Sequence, residues 1–271
     1  YEDRLWIWFG PRALGVVSSE LLSRVAQLAS ELKTGWNIHM SEVIEDVEYT
    51  ISRFGKRPIK YLKDINALNR NAVLVHGVHL DENEINLVKK AGASIAHNPS
   101  SNMKLSSGVA PVAKMIREGV NVSLGSDGGP SNNMYNMFQE MRQAALLQAV
   151  ATKKPDALTP REVLRMATIN GARALLIENL VGSLEVGKRA DIVILDLNVP
   201  NLNPLPNVIS SIVYASTGYE VKHVIVDGRL VVENRKIKTI DEERLYEKVE
   251  KAAWDLYSRT NVCLEEFKRL K

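Results

Sequence analysis

Four residues in this 271-residue chain have the chemistry to bind a metal ion or work beside one: His39, Glu42, His76 and Asp127. A histidine offers a neutral imidazole nitrogen and an aspartate a carboxylate oxygen, both ordinary ligands of a catalytic zinc. His39 and Asp127 are the candidate ligands. Two are fewer than the three protein ligands such a site usually takes. His76 is then either a third ligand or the group that orients a metal-bound water. Glu42, just past His39, is placed to carry protons between an attacking water and a leaving group. The candidates for catalysis are Glu42, His76 and Asp127.

These residues follow short apolar runs: Trp36-Asn37-Ile38 before His39, Ala72-Val73-Leu74-Val75 before His76, and Asn121-Val122-Ser123-Leu124 shortly before Asp127. If the runs are parallel strands of a barrel, residues distant in sequence converge at the C-terminal strand ends. Two more segments belong at that level. Arg12, after Phe9-Gly10-Pro11, is a planar cation suited to gripping an anionic or carbonyl-bearing group. The run His97-Asn98-Pro99-Ser100-Ser101-Asn102 is dense in hydrogen-bonding side chains. Candidate substrate contacts are Arg12, Glu42, Asn102 and Asp127. Each has a structural alternative: a turn residue for Asp127 among its glycines, a stabilised turn for the 97–102 run, a surface ion pair for Arg12. His79 and His223 read as structural.

The elements that must position this set are legible. Leu5–Phe9 reads as a strand closed by Gly10-Pro11. Leu21, Leu22, Val25, Leu28, Ala29 and Leu32 recur at helical spacing after Ser18-Ser19. A second helix is predicted from Pro58 to about Ile65. Asp81-x-x-Glu84 and Thr159-Pro160-Arg161-Glu162 are capping boxes. Ser94–Ala96 is a further strand, Pro111–Glu118 a helix, and Met134–Ala151 a long helix. Strand and helix alternate with crossover lengths suited to parallel pairing. No Gly-x-Gly-x-x-Gly follows any strand, so a (β/α) barrel is favoured over a doubly wound sheet. Beyond Gly182 the pattern turns β-rich, at Ile192–Leu195, Val208–Tyr214, Val221–Val226 and Leu230–Val232, with Asp227-Gly228 as a hairpin turn. From Asp241 onward an amphipathic helix is predicted.

Composition excludes other classes. The formal charge is +3 with no basic run, which argues against nucleic acid as a partner. The one cysteine, Cys263, rules out an intrachain disulfide framework and reads as an inert thiol. No apolar stretch approaches the roughly 20 residues of a membrane helix. A cytoplasmic setting is expected, with a homo-oligomer left open.

On these residues the chain resembles the amidohydrolase superfamily, in its single-metal branch. The resemblance is carried by Asn37–Glu42, Val75–Leu80, His97–Leu105, Gly108–Pro111, Gly125–Gly128, Ser131–Asn133 and Gly182–Asp191. Within it, the chain is most similar to the 5-methylthioadenosine/S-adenosylhomocysteine deaminases and their chlorohydrolase and guanine deaminase relatives. The resemblance implies an α/β fold: the C-terminal part of a (β/α)8 TIM-type barrel over 1–178, part of a small β-sandwich over 179–237, and a C-terminal helix over 238–271. It implies one divalent metal on His39 and Asp127, zinc ahead of iron. It implies that His76 orients the metal-bound water, that Glu42 shuttles protons and touches a heterocyclic substrate, and that ammonia leaves an amino-substituted purine. Two departures stand out. The His-x-His pair of the family's first strand is absent, as is a starting methionine. The chain is therefore expected to be part of an enzyme of about 400 residues and inactive alone. Arg12 stands where adenosine-type deaminases usually carry His and near where guanine deaminases carry Arg. Guanine deaminase, triazine chlorohydrolase and a metal-poor chain that binds without catalysis are the alternatives.

Overall fold

The computed structural model describes residues 4–259. Cys263 and the end of the expected tail helix lie outside them. The chain divides into two compact units, one of Tyr1–Arg189 with Leu197–Glu220, the other of Ala190–Asp196 with Val221–Lys271.

The first unit is a parallel sheet with helical crossovers. Its strands are β1 (Trp36–Met40), β2 (Ala72–His76), β3 (Ser94–His97) and β4 (Asn121–Leu124), ordered β1-β2-β3-β4 and all parallel. Helix α1 (Ser19–Glu31) precedes β1, and α2 (Ile44–Phe54) and α3 (Pro58–Asp64) lead to β2. Then α4 (Glu82–Ala91) leads to β3, and α5 (Pro99–Lys104) and α6 (Val112–Glu118) lead to β4. After β4 come α7 (Gly129–Asn132), α8 (Met137–Thr152), α9 (Pro160–Met166) and α10 (Ile169–Ala174).

Local chemistry sets these boundaries. The Ser18 hydroxyl accepts from Leu21 N at 3.2 Å and starts α1. Both predicted capping boxes form, at Asp81/Glu84 and Thr159/Glu162. Gly92 ends α4 in the left-handed region at φ +70, where a Cβ would be strained. Trp36, Ile38, Leu74, Ile95 and Val122 are fully buried and form the centre of the core. Burying such side chains stabilises by about 1.5–3 kcal/mol each.

Two expectations are corrected. The Leu5–Phe9 run is not a regular strand: only Phe9 bridges to Trp36. The ladder there is Phe9 N to Gly35 O at 3.2 Å and Asn37 N to Phe9 O at 3.0 Å, and Leu5 and Ile7 are left exposed. Val208–Tyr214 is a helix, α11, not a strand. Asn207 caps it by accepting from Ser210 N at 2.9 Å, and the helix packs on α8 and α9 with Val213 fully buried. Tertiary burial and a good cap override the β preference of Val208, Ile209, Ile212 and Val213.

The second unit holds an antiparallel sheet of β5 (Ile192–Leu195), β6 (Val221–Val226), β7 (Arg229–Glu233) and β8 (Lys236–Ile237) in that order. The Asp227-Gly228 turn joins β6 to β7 as expected. Helix α12 (Glu242–Ser258) follows, with no buried residue. Among the described residues no helix is long and apolar enough to cross a membrane.

Candidate active site

The C-terminal ends of β1 and β2 bring His39 and His76 together, with ring centroids 5.3 Å apart. Regular strands would not do this. The register pairs His39 with Val75 and Met40 with His76. Paired residues share a face and neighbours alternate, so His76 belongs on the Met40 face, opposite His39. His76 instead has φ +74. That left-handed backbone breaks the alternation and brings its ring to His39. Ser41 at φ +50 and Asp127 at φ +60 are also left-handed non-glycine residues at the ends of site strands. Such conformations cost of order 1–3 kcal/mol each and persist where surrounding bonds over-determine them.

Those bonds are present. His39 Nδ1 donates to the Arg12 carbonyl at 3.0 Å, and His39 N donates to the same oxygen at 3.2 Å. A carbonyl only accepts, so the proton sits on Nδ1 and Nε2 is a free lone pair, the arrangement of a metal-ligating histidine. Burial, then the Arg12 and His76 charges, push His39 below the usual imidazole range and favour this neutral form. Arg12 is exposed, and its guanidinium acts on His39 through space.

His76 is fully buried. Its Nδ1 donates to Asn102 Oδ1 at 2.9 Å, while Nε2 lies 3.5 Å from Glu42 Oε2 without a hydrogen bond. With a neutral ring, two acceptors face each other there across the space of one donor. The Ser107 hydroxyl donates to Glu42 Oε1 at 3.4 Å, and the half-buried Glu42 keeps Oε2 towards His76. Asn102 thus contacts His76 directly, while its amide nitrogen is buried without a partner among the described residues.

Asp127 accepts from the Ser101 hydroxyl at 2.6 Å on Oδ2 and from Gly128 N at 2.7 Å on Oδ1. Burial alone raises its pKa, but these two bonds, with the His76 and His39 charges, outweigh it and hold the carboxyl below its usual value. The geometry joins His39, Glu42, His76 and Asn102 in one set of contacts; Asp127 is held by Ser101, the neighbour of Asn102, and lies within electrostatic reach of both imidazoles, with Arg12 beside His39.

Sequence reasoning misses the supporting side chains. Ser101 orients Asp127 and Ser107 orients Glu42. His97 is fully buried, both ring nitrogens lack partners among the described residues, and burial with the His76 charge pushes it down to about 3. The polar density of the 97–102 run is the available signal for Ser101 and His97. His79, read as structural, donates to Ser107 O at 2.9 Å and steadies the Glu42 partner from behind.

Two clefts lie elsewhere. One of about 450 Å³ is lined by Arg161, Arg165, Arg173 and Lys188, and one of about 410 Å³ by Trp6, Trp8 and Leu176; neither includes His39, His76 or Asp127. The converging side chains identify the site better than concavity does, because they carry the strained backbone and shifted ionisation that functional groups show. Among the described residues no group of three or more His, Cys, Asp or Glu is arranged to hold a metal ion.

Comparison with known proteins places the chain in a family. The amidohydrolase family pattern matches residues 2–231. A protein of Caldanaerobacter subterraneus subsp. tengcongensis named 5-methylthioadenosine/S-adenosylhomocysteine deaminase is 42% identical over 255 residues, covering 94% of this chain and 59% of the relative. A 5'-deoxyadenosine deaminase of Methanobrevibacter smithii is 42% identical over 256 residues, again covering 94% of this chain and 59% of the relative. A crystal structure of an adenosine deaminase from Xanthomonas campestris with bound zinc superposes with a TM-score of 0.90 at 34% identity, over 92% of this chain and 57% of that one. The chain spans 59% of the length of the curated relatives it matches. It belongs to the amidohydrolase family.

Proposed function

We propose that this chain carries catalytic residues of a metal-dependent hydrolytic deaminase acting on a 5'-substituted adenosine of the methylthioadenosine or S-adenosylhomocysteine type. The parallel sheet is then part of a (β/α)8-type barrel with its site at the C-terminal strand ends. The observation that carries the reading is the locked His39 tautomer beside an Asp127 held ionised.

The donor set fits a zinc-type ion in kind. His39 offers a bare Nε2, and Asp127 offers carboxylate oxygens with lone pairs beyond those used by Ser101 and Gly128. Two protein ligands are one short of a typical catalytic zinc. The described residues of this chain do not supply another. A divalent ion, when bound, lowers the pKa of a coordinated water to about 7 and so supplies hydroxide at neutral pH.

The remaining chemistry belongs to the chain. The net reaction adds water at the amino-bearing ring carbon: a C–O bond forms, the C–N bond breaks and ammonia leaves. Glu42 Oε2, the oxygen turned to His76, relays one proton of the attacking water to the ring nitrogen beside the attacked carbon. His76, with Nδ1 fixed by Asn102, presents Nε2 to the incoming oxygen and sets its direction. Asp127, ionised at neutral pH, accepts the water's second proton and passes it to the departing amino group, which leaves as ammonia. Arg12 and Asn102 flank the substrate.

The test is ammonia release from 5'-methylthioadenosine by the natural polypeptide loaded with zinc, followed together with conversion of the adenine chromophore to hypoxanthine. Release of chloride from chlorotriazines with no ammonia from any aminopurine would sink the deaminase reading.

A further inference from the structure

We infer that Glu140 is a positioning residue, a buried carboxylate that clamps the two loops bearing the site's holders so that Asp127 and His76 keep their strained orientations. The functional consequence rests on the deaminase reading above; the clamp itself rests on geometry alone.

Glu140 sits in the first turn of α8 and is 1% exposed. Among the described residues it has no cationic partner within ion-pair distance. Its ligands are neutral donors from two different loops. From the β3–α5 side, Ser100 N donates to Oε2 at 3.2 Å and the Ser100 hydroxyl donates to Oε1. From the β4 side, Asn132 Nδ2 donates to Oε1 at 2.8 Å. The same Asn132 amide donates to Ser126 O at 2.7 Å, one residue before Asp127. Ser100 is followed directly by Ser101, which grips Asp127, and by Asn102, which grips His76.

One carboxylate thus holds both the backbone entering Asp127 and the side chain orienting its oxygens. The two loops also touch directly: a Cβ on Gly125 would lie 2.4 Å from Asn98 Oδ1. A buried carboxylate without a cation is costly unless every lone pair it presents is used. Three donors, one of them a Ser100 hydroxyl that also lies against Gln143 Oε1, and the helix N-terminus offset most of that cost here. A side-chain amide in its place cannot accept from all of these donors. A glutamine at this position would turn an NH2 towards either Ser100 N–H or the Asn132 NH2, donor against donor.

Glu140→Gln is the test, read by hydrogen exchange on the chain. The amides of Asn102, Gly125, Gly128 and Asn132 are expected to lose protection by about tenfold or more, the mark of a buried donor left unsatisfied, while those of Ile38 and Leu74 in the sheet keep theirs. Equal loss across the sheet, or no loss in the two loops, overturns the clamp. Should Glu140→Gln fail to fold, Ser100→Ala removes a single hydroxyl donor and is read by the same amides. In the zinc-loaded natural polypeptide, Glu140→Gln is expected to lower kcat about 10–100-fold with KM nearly unchanged. Full kcat in that variant refutes the positioning role. An inactive wild type would sink the deaminase reading instead, and the exchange result would still decide the clamp.

Discussion

Asp127→Asn isolates the charge that the site is built to hold. The carboxylate has two donors, Ser101 Oγ at 2.6 Å and Gly128 N at 2.7 Å. In the asparagine variant Oδ1 can keep Gly128 N, and the Ser101 hydroxyl can rotate to accept from the new amide. The local fold therefore survives. What is lost is the charge assistance of two hydrogen bonds. Hydrogen bonds to charged groups contribute about 1.5–3 kcal/mol and neutral ones about 0.5–1.5. Asp127 is part-exposed, so solvent screening discounts the difference to about 1 kcal/mol. The sign with pH follows from the lowered pKa. A carboxyl whose folded pKa lies below its unfolded value of about 3.9 stabilises above that value and loses the contribution as pH falls through the folded pKa. Urea unfolding of the chain at pH 7 should show Asp127→Asn about 1 kcal/mol less stable, with the gap closing as pH falls below the unfolded carboxyl value of about 3.9. In the zinc-loaded natural polypeptide the same change should lower turnover by about 10²–10⁴-fold. Equal stability at pH 7 would show that the carboxylate is not held ionised. Near-native turnover would remove Asp127 from proton transfer.

Three further outcomes are expected. His97 is pushed down to about 3 by burial and the His76 charge, so below about pH 6.5 the unfolded chain takes a proton that the native state refuses; stability should fall as pH drops towards 3, with a limiting slope near 1.4 kcal/mol per pH unit. His97→Leu should flatten that limb of the pH–stability curve, and an unchanged slope would contradict the assignment. Arg12→Met should raise the NMR-detected pKa of His39, because the Arg12 charge is one of the causes that lower it; no rise would mean the guanidinium points elsewhere in solution. The chain alone should retain well under one zinc per molecule after desalting, measured by plasma emission, since His39 and Asp127 are one ligand short of about three. Stoichiometric zinc would refute the two-ligand count.

Much of the fold is legible because its signals are local. Capping boxes, left-handed glycine stops and the alternation of apolar runs with amphipathic helices depend on residues within a few positions of one another, and they place α1, α3, α4, α6, α8, α9 and β1–β4 closely. Val208–Tyr214 reads as a strand only while β-branched content outweighs Asn207, whose cap and the 208, 209, 212, 213 apolar spacing both favour a helix. Leu5–Phe9 falls short of a strand because strand propensity says nothing about how much of a ladder a segment finds.

The site divides along the same line. Residue type and strand-end position point to His39, Glu42, His76 and Asp127, since those features are written in the chain. Their orientation is not written there. Strict alternation from the β1–β2 register puts His76 on the wrong face, and only its left-handed backbone corrects this. Histidine and aspartate are enriched among non-glycine residues at left-handed φ, but that preference is too weak to fix φ +74 or +60; the conformation is held by bonds to other residues, Asn102 to His76 and Ser101 with Gly128 to Asp127. Those bonds in turn depend on Ser100, Asn132 and Glu140, which stand up to 40 residues apart. A local reading therefore picks out the candidate groups and misses the bonds that orient them. In this chain the aiming is done by neutral hydroxyls, amides and one buried carboxylate. That choice leaves the two imidazoles and the carboxyl groups of Glu42 and Asp127 as the groups that a bound cation or substrate meets, with the Arg12 guanidinium at the rim.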